Sequence, residues 1–473
     1  MSLLSWIKGV IGRMNLPSEV KTDFGVKEIT APELTRLIEY CARVYKGEPD
    51  WLDIEGHVKT INFARSVCSE TARLATMNIG VEVSGSARAD WLQEQVDKTL
   101  DELRRWIEYG NAYGTIILKP NGETVDIITP DRMVVTEASG GQIRGVVFLD
   151  QRYINEEDRW YTRLEYHRFV DGVYTITNRC YWGATKTSLT HKIDIKDTPW
   201  KGLTEEVRAQ GVDDMLFGVY KTPAANNVDM DSPLGLPIFA DAIAELEDLD
   251  VAYSRNAKEI FDSKRTVIID SDRLLQSGGR IGQQNKTALI EQAGLPDYVR
   301  AVEGTGQGDI YHEINPTLNT TIRLEGLNAL LSQIGYKCGF SNGYFVFNQK
   351  SGMVTATQVE SDDRRTLQLI NDIRHDIEIA LDGLLYALDK FADAYNLAPR
   401  GTYEVTYDFA DLTLNNAEDQ TRWYNYVAAG RVPFWYYLTK YEGFSEEEAK
   451  ELASMATQEA VQNMALMGGM AAE

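Results

Sequence analysis

The feature that most constrains this chain is a run of about 40 residues, 358–397, in which apolar side chains recur at steps of three and four. They are Leu367, Ile370, Ile373, Ile377, Leu381, Leu384, Leu388, Phe391 and Tyr395. Such steps bring side chains to one side of an α-helix. At 1.5 Å per residue the helix would be about 60 Å long, more than most globular domains span. The run therefore predicts a scaffold strut or a coiled-coil element. Leu369, Ile379 and Leu385 widen the stripe, which favours contact on two sides over a strict two-stranded seam. Gly383 is the weak point at which a kink is expected, and Pro399 and Gly401 supply the stop.

A second amphipathic stretch, about 238–263, carries Phe239, Ile243, Leu246, Leu249, Tyr253, Ala257 and Ile260 on one side. Asp241, Glu245, Glu247, Asp248 and Asp250 occupy the other. The helical pattern is lost over 265–320, where 266–269 reads as a strand and 276–280 and 304–308 as loops. It returns over about 322–337 with Leu324, Leu327, Leu330, Leu331 and Ile334. Two helices flanking a compact insertion imply a stalk with a head at its tip. The acidic face of the first helix is ordinarily a solvated face; in a ring it would line a channel.

Ahead of this stalk the periodicity predicts helices over 31–47, 58–78 and about 90–109. The third stops at 108–114, where Gly110 and Gly114 permit positive φ. Strand patterns follow. Residues 115–118 and 124–128 flank the hairpin signal Pro120-Asn121-Gly122, and Gly145 to Leu149 comes next. Trp160 to Phe169 and Val173 to Trp182 are joined through Asp171-Gly172. An antiparallel meander behind three helices makes the fold class α+β. Residues 221–237, with three prolines and one glycine, read as a linker. Residues 339–357 read as a glycine-punctuated aromatic loop. A strand at 403–407 is expected to rejoin the meander. The tail is helical in pieces, 416–429, 433–441 and 445–468, separated by Gly430 and Gly443.

Composition restricts the partners. The chain has 473 residues, and 48 Lys plus Arg against 71 Asp plus Glu leave a net charge of −23. A protein that grips DNA neutralises phosphates with a basic footprint, and the average surface here repels them. The four cysteines, Cys41, Cys68, Cys180 and Cys338, form no CxxC pair and read as reduced thiols of a cytosolic protein. The first residues, with Leu3, Ile7, Val10 and Met14 at helical spacing, read as a short amphipathic helix and not a secretory leader. No stretch approaches the roughly 18 apolar residues of a membrane span, so no membrane partner is expected.

Catalytic signatures are sparse. Gly304-Thr305-Gly306-Gln307-Gly308 lacks the Lys and the following helix of a phosphate loop. His57, His167, His191, His312 and His375 show no ligand spacing. Asp229-Met230-Asp231 has the D-x-D form that holds a metal in a glycosyl or phosphoryl transferase, which supplies the competing enzyme reading. The Ser232-Pro233 that follows favours a plain turn. No catalytic, cofactor-binding or metal residue is assigned, and no cofactor is expected.

The order of features resembles the portal proteins of long-tailed bacteriophages. The resemblance rests on Ala64 to Cys68, Glu108 to Gly114 before a strand, Ile127 to Arg132 before the meander, and Ser232 to Gly235 before the first stalk helix. It also rests on Gly339-Phe340-Ser341 and Val354 to Val359 around the glycine-rich loop, and on Asn416 to Asp419 opening the tail. It implies a structural ring, usually of twelve subunits, at one capsid vertex, assembled in the host cytoplasm. It divides the chain into wing (1–237), first stem helix (238–264), clip (265–320), second stem helix (321–338) and tunnel loop (339–357). The long wing helix with its return strand (358–410) and the crown (411–473) complete the series.

The implied partners are the terminase large subunit, a head–tail adaptor, the major capsid and scaffolding proteins, and double-stranded DNA in transit with weak non-specific contact. Within that frame Asp241, Glu245 and Asp248 are expected to line the channel. Asn342, Gly343, Tyr344, Asn348, Gln349, Lys350, Ser351 and Gly352 are expected to approach DNA, and Gln276, Arg280, Gln283 and Lys286 to dock partners on the clip. A helical scaffold protein unrelated to phage is the third reading.

Overall fold

The opening helices form where an apolar stripe meets a stop signal. The structure, a computed structural model, describes residues 18–53, 56–122, 124–186, 188–189, 191–263, 266–270, 299–302, 311–314, 319–347, 356–409, 416–442, 444–445 and 447–455. Helix α1 (Pro32–Tyr45) buries Leu34, Ile38, Cys41 and Val44. Helix α2 (Phe63–Ala75) starts later than its periodicity suggests, because Asn62 is left-handed at φ 51° and leaves Ile61 outside. Strand β1 (Ile79–Ser84) leads into α3 (Ala87–Tyr113). The expected stop at 108–114 is corrected to Gly114 alone, which caps α3 at φ 79°. Gly110 is helical and serves a different purpose: a Cβ there would lie 2.5 Å from the ring of Tyr220.

Strands β2 (Thr115–Asn121) and β3 (Thr124–Ile128) pair as the expected hairpin. The meander is longer than its sequence pattern: β4 (Met133–Ser139), β5 (Gln142–Ile154), β6 (Arg159–Val170) and β7 (Val173–Gly183) run antiparallel in order. Asp171 and Gly172 join β6 to β7 with φ of 51° and 76°, the signature of a two-residue type I′ turn. Strands β8 (His191–Ile193) and β9 (Glu206–Ala209) both pair with β7. One face of the sheet buries Val134, Val147, Leu164, Tyr166 and Tyr181 under Val20, Phe24 and Val26. Strand β10 (Gly218–Lys221) pairs with β2 in a separate three-stranded sheet.

Residues 221–237 are not a linker. Leu234 and Leu236 are each 3% exposed. Gly235 N donates to Thr115 Oγ1 (2.8 Å), Thr222 Oγ1 to Leu236 O (2.5 Å) and Ile238 N to Asn111 O (2.9 Å). The prolines mark an irregular backbone that the core satisfies, and proline content alone cannot distinguish that from a spacer.

After a 3-10 turn at Ala240–Ala242 come α4 (Ile243–Asp262), β11 (Thr266–Asp270), β12 (Val299–Val302), β13 (Tyr311–Ile314) and α5 (Thr320–Lys337). Strand β11 pairs parallel with β12 and antiparallel with β13. Helix α6 (Ala356–Tyr395) is the 40-residue run. Ile370, Ile373, Ile377, Leu381, Leu384, Leu385 and Leu388 are buried, whereas Ile379 is 49% exposed and falls outside the contact arc. The helix continues through Gly383, where no kink is needed. Gly383 instead lets a strand approach, since a Cβ there would stand 2.9 Å from Gly218 Cα. The helix ends at Asn396, left-handed at φ 55°, three residues ahead of the expected Pro399.

Strand β14 (Glu404–Phe409) does not rejoin the meander. It pairs antiparallel with β1, Ile79 facing Phe409, in a two-stranded sheet of its own. The other edge of β1 is closed by Gln93, which accepts from Val83 N (2.7 Å) and donates to Val81 O (3.0 Å). Arg88, 1% exposed, ties the end of α6 to the start of α3. Its guanidinium donates to the Pro399, Ala398 and Asp389 carbonyls and pairs with Asp389 and Asp393.

These elements, with α6 only from residue 362 on, make the first of two compact units, residues 1–351 and 362–409. The second, 352–361 and 410–473, contains α7 (Asn416–Ala428), α8 (Phe434–Glu442) and a helical stretch at 447–455. No helix among the described residues is long and apolar enough to cross a membrane.

Candidate functional site

Helices α4 and α5 pair through Leu246 and Leu249 on one and Leu327, Leu331 and Ile334 on the other. Two ion pairs lock their register. Lys337 Nζ lies 2.6 Å from Glu245 Oε1, and Arg323 pairs with Glu259. Glu245 and Glu259 are separated by the same 14 positions as Arg323 and Lys337, taken in opposite order. The two rungs therefore stand about 21 Å apart on antiparallel helices. The charge pattern was present in the sequence, but only a known pairing partner turns it into a register mark.

These contacts divide the five carboxylates expected on one face. Glu245 is engaged by Lys337 and accepts from Gln333 Nε2 (3.1 Å). Partial burial pushes its carboxyl up, and the hydrogen bond and charge of Lys337 outweigh this and hold it below the usual range. Lys337 Nζ also donates to Asp241 O (2.9 Å). Asp250 is a correction to the acidic face: it is 3% exposed and accepts from Trp51 Nε1 (2.9 Å) and Ile61 N (3.0 Å). Its position on the helical wheel places it beside the core, where α4 meets the segment before α2. Asp241, Glu247 and Asp248 remain exposed.

The aromatic loop is anchored at its root. Phe340 is fully buried, and Ser341 exchanges hydrogen bonds with Thr366, N to Oγ1 at 2.9 Å and Oγ from Thr366 N at 3.2 Å. Phe345 packs edge-on against Phe63 and Phe340. Tyr344 Oη donates to Glu70 Oε1 (2.6 Å), so this residue, expected to face DNA, is half-buried against α2. Arg73 first, and Tyr344 with it, hold the Glu70 carboxyl below its ordinary range against the effect of burial. Gly343, at φ 80°, donates to Ser332 Oγ (2.9 Å), and Asn342 is exposed and paired with Ser332. Asn348, Gln349, Lys350, Ser351 and Gly352 lie outside the described residues, as do the clip positions Gln276, Arg280, Gln283 and Lys286.

The remaining polar clusters are structural. Glu165 is buried between Lys119 (2.5 Å), Arg163 (3.1 Å) and His167 (3.1 Å). Burial alone would raise its carboxyl, and the neighbouring positive charges hold it well below the usual range. Burial lowers His167 in turn, and its Nδ1 lies within hydrogen-bond distance of Tyr174 Oη (2.7 Å). Burial pushes the Cys41 and Cys338 thiols up to about 12 and Cys180 to about 11, which leaves them unreactive. Asp229, the first carboxylate of the D-x-D, accepts from Ala31 N (2.7 Å), and its carbonyl accepts from Ser232 N (3.2 Å). This is a turn that terminates α1's free end. Among the described residues no group of three His, Cys, Asp or Glu side chains is placed to hold a metal.

The described residues form an α+β protein with a charge-registered helix pair around a small inserted sheet, and with an aromatic loop ahead of a very long helix. The chain belongs to the phage portal protein family of the SPP1 Gp6-like type, whose sequence model matches residues 88–462. No curated protein matches the chain.

Proposed function

We propose that copies of this chain close into a ring at one capsid vertex and that double-stranded DNA passes through it during packaging and ejection. The observation that carries the reading is the α4–α5 pair with its inserted sheet, lying within the 375 positions that the portal family matches. In this reading 1–237 is most of the wing, 238–264 and 321–338 the stem, and 265–320 the clip. Residues 339–357 are the tunnel loop, 358–410 the long wing helix and return strand, and 411–473 the crown. The terminase large subunit docks on the clip during packaging and supplies ATP hydrolysis, and a head–tail adaptor replaces it afterwards. Capsid and scaffolding proteins contact the wing.

A conduit must pass DNA without holding it. Exposed Asp241 and Asp248 suit a wall that repels phosphate, while Lys337 offsets the charge of Glu245. At physiological salt the screening length is about 8 Å, so such a wall acts only on DNA that drifts close. The anchoring of Phe340, Tyr344 and Phe345 supports reading the later part of the loop, Asn348 to Gly352 with Lys350, as the part that approaches DNA. Negative-stain microscopy of the purified chain tests the reading: rings with a central hole support it, and compact monomers at every concentration overturn it. Asp241→Lys with Asp248→Lys in rings that still assemble tests the wall, since unchanged packaging would remove these residues from the channel.

A further inference from the structure

The two-stranded sheet of β1 and β14 has one edge closed and one open. Gln93 takes Val83 N and Val81 O, so the backbone groups of Val81 and Val83 point away from β14. Those of Gly80, Glu82 and Ser84 point towards it, since successive residues of a strand alternate. The register pairs these three with Asp408, Thr406 and Glu404. The N–H and C=O groups of Val405, Tyr407 and Phe409 therefore face outward, and no hydrogen bond meets them among the described residues. Guarded edges are short, bulged, or carry Lys or Pro. Strand β14 runs six residues in unbroken register with none of these. Strand β4, by comparison, has register shifts around Glu137, and β8 and β9 are three and four residues long.

The surroundings define what fits there. Strand β14 lies along α6: the Phe409 ring is 5.0 Å from the Arg374 guanidinium, and Tyr407 Oη donates to Asp382 Oδ1 (2.7 Å). Asp382 shares a row of the helix with Glu378. Ile377, on one side of that row, is buried, and Ile379, on the other, is exposed. The outer face of the sheet carries the exposed carboxylates of Glu82, Glu404 and Asp408, and neither strand has a Lys or Arg.

We propose that the open edge of β14 accepts a strand from another protein, an extended segment whose residues run basic, apolar, any, apolar, basic. Its backbone pairs with Val405, Tyr407 and Phe409. Residues directly opposed across strands share a face. The basic positions thus stand opposite Glu404 and Asp408. The apolar positions, opposite Val405 and Tyr407, turn inward and cover Ile379. The carboxylates repel an acidic strand, which makes the edge selective. A second copy is the poorer occupant. Within this chain only Lys192 to Lys196 has the pattern, and that stretch is held by the pairing of β8 and by buried Ile195. The inference needs neither ring nor channel, so its failure leaves the ring reading as it stands.

The test is amide hydrogen exchange of the full-length chain with a capped peptide, Thr-Lys-Val-Thr-Val-Lys-Thr, at millimolar concentration. Exchange over 404–409 is expected to slow at least about tenfold while 142–183 in the meander changes little. The counterpart with Glu in place of Lys is expected to have no effect, and Glu404→Lys with Asp408→Lys to reverse the preference. Val405→Pro deletes an outward N–H and leaves the ladder to β1 in place, so it should abolish the protection, with unchanged exchange in β1 reporting that the sheet is folded. Equal protection of the Val405→Pro protein would mean attraction of charge without strand pairing, and overturns the inference. So does a parent chain that the Lys peptide leaves unprotected. Protection of 404–409 without peptide that grows with protein concentration overturns it in favour of a second copy.

Discussion

Replacing Gly218 by alanine tests the tightest glycine position among the described residues. Gly218 sits in β10 where the strand crosses α6, and a Cβ there would lie 1.9 Å from Ala380 O and 3.0 Å from Leu384 N. An ordinary carbon–oxygen contact is about 3.3–3.6 Å, so strand and helix must separate by roughly 1.5 Å. Both obstacles are backbone atoms of a continuous helix and cannot swing aside as a side-chain end would. Overpacking of this kind costs about 1–3 kcal/mol and more when backbone must move. We expect about 3 kcal/mol, together with faster amide exchange in β10 and β2. Gly326 provides the opposite sign. It lies inside α5 with nothing within 4 Å of its Cβ position, so alanine there should stabilise by about 0.5–1 kcal/mol. Urea denaturation followed by tryptophan fluorescence reads both. A Gly218→Ala protein within about 0.5 kcal/mol of the parent would refute the packing argument.

Three further outcomes follow from the same structure. Arg88→Met removes the donor shared by the Pro399, Ala398 and Asp389 carbonyls and leaves Asp389 and Asp393 without their partner. The cost should be about 3–5 kcal/mol, with exchange in β1 and β14 accelerating ahead of the meander; a loss under 1 kcal/mol would contradict it. Asp376 is raised from 3.8 to about 6, chiefly by burial, with Lys221 and His375 opposing. The folded state thus holds its proton more tightly than the unfolded chain. The stability this contributes is fully present below about pH 4 and is lost as pH rises through 6. Asp376→Asn should therefore be the more stable protein at pH 8, by about 1 kcal/mol after allowing for its half-exposed setting. The difference should vanish near pH 4, and a pH-independent difference would count against the argument. Asp229→Ala should weaken the protein by about 1 kcal/mol through loss of the acceptor for Ala31 N, as removal of a helix-end acceptor does. Calorimetric titration with Mg²⁺ or Mn²⁺ should detect no binding in either protein, and binding lost in the variant would revive the transferase reading.

Periodicity located the elements whose burial is one-sided and local. Helices α1 and α6 and the β6–β7 hairpin lie close to where stripe spacing and Asp171-Gly172 place them, because a helix face or a type I′ turn is decided by residues near in sequence. The family resemblance, confirmed over residues 88–462, was likewise legible as an order of such elements. Failures cluster where a distant contact decides. Residues 221–237 look like a spacer until Thr115 and Asn111 supply their hydrogen bonds. Gly110 and Gly383 look like breaks until Tyr220 and Gly218 are found to need the space.

Charge shows the same division. The sequence by itself determined that one flank of α4 is acidic and that the chain as a whole carries a net charge of −23, since net charge is a sum over composition. Only the tertiary structure decided which carboxylates still face outward. Asp250 turns in to Trp51 and Ile61, Glu245 is met by Lys337, and Asp241 and Asp248 stay exposed. A helical pattern specifies the angle at which a side chain leaves its helix. What waits there, solvent, an ammonium or a backbone N–H, depends on chain that lies some 90 to 200 residues away in sequence and arrives only through folding.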